Sequence, residues 1–122
     1  MQEGNQSPII RPSEFDFRRF ARAINARQFY EAHEIMEEVW VAMGRPRPSF
    51  AQGLVQLAAG LEQLKRSHRQ GAKKLMERGL QNCRLDPGHY PFAQSFIHDM
   101  QDYSDMAFRG PYPQISEAFG DQ

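Results

Sequence analysis

One cysteine in 122 residues, Cys83, excludes an internal disulfide and a thiolate metal cluster. Neither sign of charge is in excess, since fifteen Lys and Arg stand against fifteen Asp and Glu. A neutral chain has no overall field to draw it to nucleic acid or to an anionic membrane. No apolar run is long enough to span a bilayer. The opening stretch MQEGNQSPII has neither the basic start nor the apolar core of a secretory signal. These absences predict a soluble cytoplasmic protein with no membrane or nucleic-acid partner. No segment alternates apolar and polar residues as a strand would, and no internal repeat is visible. There is no HExxH zinc-peptidase motif and no glycine-rich phosphate loop. No serine or cysteine has a base partner in sequence, so nucleophilic catalysis is unsupported.

What is present is ordinary for a globular domain: 40% hydrophobic and 25% charged residues, enough for one modest core. Ser13 with Asp16 three positions on forms a capping box, and Phe17, Phe20, Ala21 and Ile24 then recur at helical spacing to about residue 26. A second helix is predicted from about Gln28 to Met43, stopped by Gly44 and the Pro46 and Pro48 that follow. Ser49 caps a third, reaching about His68, with Phe50, Leu54, Leu57, Leu61 and Leu64 on one stripe. Val55, Ala58 and Ala59 make its other sides apolar, which marks it as the central helix. A shorter fourth helix begins at Gly71 and ends before the turn Leu85-Asp86-Pro87-Gly88. A fifth runs from about Pro91 to Phe108. The expected fold is all-α, a single bundle of about five helices over 13–108. Residues 1–12 read as a flexible N-terminal tail and 109–122 as a C-terminal one.

The chemistry concentrates in the second helix. At 100° per residue, Glu37 lies about 40° from His33 on one side and Trp40 about 20° on the other, while Glu31, Glu34 and Glu38 point largely away. Phe29, Met36 and Met43 share the arc of His33, so His33 and Glu37 are expected to face inward or into a cleft. An imidazole and a carboxylate four residues apart can hydrogen-bond or share one metal ion. They can equally be a structural pair that fixes helix packing. A metal site needs a further ligand from another helix, for which His68, His89 and His98 qualify by type alone. "HEIME" has Glu37 where the second histidine of a zinc peptidase belongs.

The stretches "FYEAHEIMEEVW", "FAQGLVQLAAGLEQL" and "GAKKLMERGL" together resemble a bacterial and archaeal family called domain of unknown function 309, over about residues 29–80. Its signature, a histidine, three residues, two glutamates and a nearby tryptophan or tyrosine, falls on His33, Glu37, Glu38 and Trp40. The resemblance implies a compact helical domain whose signature could bind a divalent metal ion, without implying an activity. On that basis His33, Glu37 and Glu38 are candidate metal ligands, and Glu37 and Glu38 candidate catalytic groups.

On the third helix, Gly53 and Gly60 form a small-residue notch. Close packing through glycine is one reading. The other is that Gly53 leaves space above His33 and Glu37, with Gln52 or Gln56 orienting a bound group beside Trp40. Gln52 could instead only complete the Ser49 cap, and Trp40 could be a core anchor. The basic run Lys65, Arg66, Arg69, Lys73, Lys74 and Arg78 lacks interleaved aromatics and reads as a solvated face. Two functions lead, ahead of a weaker third in which the basic run serves a nucleic-acid accessory. One is a metal- or ligand-binding, conceivably hydrolytic, helical protein with its site at His33 and Glu37. The other is a non-catalytic interaction module, self-associating or binding a protein partner, in which the pair is structural. A pocket with a third ligand near His33 favours the first, and a dry closed packing favours the second.

Overall fold

The reciprocal cap read at Ser13 starts the first of the described helices: Ser13 Oγ accepts the Asp16 N–H at 3.0 Å and the Asp16 carboxylate accepts the Ser13 N–H at 3.3 Å. From there a computed structural model describes residues 13–86 and 93–116. Among them are five helices and no strand: α1 (Glu14–Asn25), α2 (Phe29–Ala42), α3 (Phe50–Lys65), α4 (Arg69–Leu85) and α5 (Gln94–Asp105). Residues 1–12, Pro91 and the Pro87-Gly88 turn lie outside the described residues.

The order in space follows the order in sequence. The central helix α3 packs most extensively on α4 and next on α2, while α1 lies on α2 and α5 on α4. Leu54, Leu57, Ala58 and Leu61 are wholly inaccessible, as the all-round apolar character of α3 predicts. Phe17, Phe20, Phe29, Phe50 and Met76 close the core around them. None of the five helices is long and apolar enough to cross a membrane.

The helix ends depart from the sequence reading for one recurring reason. α3 stops at Lys65 rather than near His68 because Ser67 turns left-handed at φ 67° and the His68 N–H donates back to the Gln63 carbonyl. α5 stops at Asp105 because Ala107 and Phe108 do the same, with the Phe108 N–H on the Tyr103 carbonyl. Such reversals satisfy the last carbonyls of a helix, usually through glycine. Serine, alanine and phenylalanine carry no such signal.

Close approach sets the α3–α4 contact. A Cβ added at Gly53 would sit 2.5 Å from Cys83 Sγ and 2.7 Å from the Gly79 carbonyl oxygen, and one at Gly60 would sit 2.8 Å from Met76 Cγ. The Gly53 notch therefore receives α4, which corrects the reading that it opens above His33. Cys83 fills this seam, and burial, with Asp86 nearby, pushes its thiol pKa far above the ordinary range, leaving it inert.

Residues 109–116, within the segment read as a C-terminal tail, lie against the body. Ile115 is buried, and the Asn25 amide both donates to its carbonyl and accepts its N–H, each at 2.8 Å. Asn25→Ala is expected to cost on the order of 1–2 kcal/mol in denaturant unfolding and to speed tryptic cleavage after Arg109. Unchanged stability and cleavage would mean that the pair does not tether the segment.

Candidate functional site

The buried residues of α2 are Phe29, Ala32, Ile35 and Met36. Ala32 and Ile35 move the centre of that arc roughly 90° from His33 on the wheel. His33 consequently stands at the margin of the core, with its side chain 23% exposed, and Glu37 stands beyond it at 47%. Glu37 is on the rim and not inside the apolar stripe. Glu31 and Glu34 are exposed.

His33 Nε2 is 3.7 Å from Glu37 Oε1, an ion-pair contact when the imidazole is protonated and too long for a hydrogen bond. Its Nδ1 is buried without a hydrogen-bond partner. In the neutral ring the proton belongs on Nε2, toward the carboxylate, because an unpaired lone pair is less costly to bury than an unpaired N–H. The Tyr30 ring lies 5.6 Å from the imidazole.

His33 and Tyr30 form one wall of a cleft of about 210 Å³, and Ala59, Glu62 and Gln63 of α3, with Arg66 just beyond, form the other. Positions 59, 62, 63 and 66 make one ridge of α3. Arg66 Nε donates to Glu62 Oε2 at 2.7 Å, and the Glu62 side chain is only 17% exposed. Gln63 Oε1 lies 2.8 Å from His68 Nδ1. The cleft thus offers a fixed carboxylate and a fixed guanidinium opposite an imidazole. Sequence reasoning missed Glu62, Gln63 and Arg66 as site residues. The available signal was Glu62, the one acidic residue of α3, with Arg66 four positions on.

The other candidates lie elsewhere. Glu38 is exposed and borders a separate depression with Glu34, Glu37, Val41 and Arg45. Trp40 Nε1 donates to the Pro46 carbonyl at 3.0 Å and its ring faces the Arg47 guanidinium, so it anchors the α2–α3 loop. The Gln52 N–H completes the Ser49 cap at 3.0 Å, while its Oε1 is buried without a partner. Gln56 accepts from Asn82 Nδ2 at 2.7 Å across the α3–α4 seam. None of these three lines the His33 cleft.

Among the described residues, no three His, Cys, Asp or Glu side chains converge where they could hold a metal ion. His68 is paired with Gln63, and His98 sits on the exposed face of α5 beside Asp99 and Asp102. His89 lies outside the described residues. The basic run is exposed, and half of it serves the fold: Lys65 donates to the Arg27 carbonyl, Arg66 to Glu62 and Arg69 to the Ala107 carbonyl.

Five helices in sequential contact, with a small polar cleft between α2 and α3, define a compact all-α domain. Residues 17–75 match the family model described as Domain of unknown function (DUF309), the family that the stretch around His33 resembles. No curated protein and no solved structure matches the chain.

Proposed function

We propose that this chain is a ligand-binding helical domain whose site is the α2–α3 cleft, with His33 as its central polar group. The observation that supports this reading is the position of the His33 imidazole, lining a cleft opposite the hydrogen-bonded Glu62–Arg66 pair, with its inner nitrogen, Nδ1, left without a partner in the protein. At about 210 Å³ the cleft is below the usual range for drug-sized ligands. With the Glu62–Arg66 pair on one wall and the His33 imidazole on the other, it suits a small polar molecule such as a zwitterion of amino-acid size.

A divalent metal ion, with hydrolysis by its bound water, fits these residues less well. His33 and Glu37 supply two positions from one helical turn, Glu38 faces solvent, and Glu62 is committed to Arg66. Elemental analysis of protein purified without a metal-affinity tag is expected to show no stoichiometric metal. Stoichiometric metal that disappears in His33→Ala would replace the present reading with the metal one. In calorimetric titrations with the common amino acids, at least one is expected to saturate, and His33→Gln to weaken it about tenfold, the worth of one good hydrogen bond. Saturation unaffected by His33→Gln would contradict the assignment.

A second reading makes α2 an interface for another copy of the chain. Tyr30, Glu34, Glu37 and Val41 form an exposed ridge on it, with Tyr30 55% and Val41 42% accessible. Concentration-dependent sedimentation that Tyr30→Glu abolishes would favour this reading.

A further inference from the structure

The C-terminal ends of α1, α3 and α5 meet at a second cleft, of about 410 Å³, distinct from the one at His33. Its walls include Arg27 just past α1, Leu64 in the last turn of α3, Arg69, Tyr103, Phe108 and Tyr112. Two guanidiniums line it, and among the described residues no carboxylate does. Each guanidinium is stacked: Arg27 lies 5.4 Å from the centre of the Tyr112 ring, and Arg69 5.4 Å from that of Phe108. Stacking holds the planes in place and leaves their N–H edges to serve a partner. One edge is taken, where Arg69 donates to the Ala107 carbonyl at 2.6 Å. No carboxylate among the described residues pairs with Arg27 or Arg69, although the chain as a whole is neutral.

The cleft is framed by the turns that end α1 and α5, where Arg27 at φ 61°, Ala107 at 57° and Phe108 at 65° are left-handed. Tyr103, on the cleft wall, has its pKa raised by burial first and by Tyr112 second, so its hydroxyl keeps its proton as a donor.

From the two stacked guanidiniums, the aromatic walls and a lining with no carboxylate among the described residues, we infer that this cleft binds an organic phosphate monoester. Two arginines match the charge of a phosphate dianion better than that of a carboxylate, and guanidinium geometry matches its oxygens. The volume exceeds that needed by phosphate alone, and Leu64, Phe108 and Pro111 give the organic part an apolar bed. The competing account is that the arginines only neutralise the carbonyl-rich helix ends.

Phenyl phosphate, titrated calorimetrically into the full chain, distinguishes the two. Saturable binding is expected, with phenol, benzoate and inorganic phosphate each at least about tenfold weaker. Arg27→Gln should weaken phenyl phosphate roughly ten- to a hundredfold, the worth of a lost charge-assisted contact, while Arg78→Gln, outside the cleft, should leave it unchanged. Should Arg27→Gln fail to fold, the Arg27 and Arg69 side-chain Nε–H resonances of the unaltered protein should shift on adding phenyl phosphate. No saturation, equal binding by Arg27→Gln, or no shift of either resonance would overturn the site. Benzoate or inorganic phosphate binding as tightly as phenyl phosphate would overturn the ligand class.

Discussion

Gly53→Ala is expected to lower stability by about 3 kcal/mol, at the upper end of overpacking costs. In an ordinary helix the same change would add up to about 1 kcal/mol, because alanine is the better helix former. Here the new methyl would meet Cys83 Sγ at 2.5 Å and the Gly79 carbonyl oxygen at 2.7 Å. The second contact is backbone, so relief requires α4 to move away from α3 along the most extensive helix–helix contact in the molecule. Gly71 supplies the control: a Cβ there meets nothing nearer than the Gln63 amide at 3.6 Å. Gly71→Ala should therefore raise stability by about 0.5–1 kcal/mol. By far-UV circular dichroism, Gly53→Ala should melt roughly 10 °C below the parent and Gly71→Ala slightly above it. Equal shifts in the two would show that the notch is not packed against α4.

Leu57→Ala should cost about 4 kcal/mol, in the upper part of the range for leucine truncation. Leu57 has no accessible surface, and its Cγ and Cδ2 lie 3.0 and 3.1 Å from where a Gly79 Cβ would stand. It sits on the central helix, so α2 and α4 would both have to close on the space to refill it. The helices are held apart by other core side chains, Phe50, Leu54 and Leu61 among them, so collapse will be partial and a cavity will remain. Val41→Ala, at a position 42% exposed on α2, should change stability by less than about 0.5 kcal/mol. Urea unfolding separates these outcomes. A loss below about 1 kcal/mol in Leu57→Ala would remove α3 from the centre of the fold.

The helices and the core were legible because apolar residues recur at the helical period and Ser13 and Ser49 announce two starts. The central place of α3 was legible because it is apolar on several sides, a pattern only full burial explains. The orientation of α2 was less so. Weighting its large residues, Phe29, Met36, Trp40 and Met43, centres the inner arc near His33, whereas the smaller Ala32 and Ile35 carry it away. That error placed Glu37 inside when it lies on the rim. The direction of the Gly53 notch depends on its partner, Gly79, which no periodicity within α3 reveals. Glu62, Gln63 and Arg66 became site residues only through the register of α3 against α2. Ile115 follows no helical pattern, and its burial depends on Asn25, ninety residues away in sequence.

The most direct test of the His33 cleft as the binding site is chemical-shift mapping on isotope-labelled protein titrated with the common amino acids. The account predicts that the backbone amides of Tyr30, His33, Ala59, Gln63 and Arg66 move together with one saturating ligand, while those of Gly79 and Cys83 in the α3–α4 seam stay fixed. Saturating shifts that leave Tyr30, His33 and Gln63 unmoved would contradict it, as would amides that do not move with any amino acid.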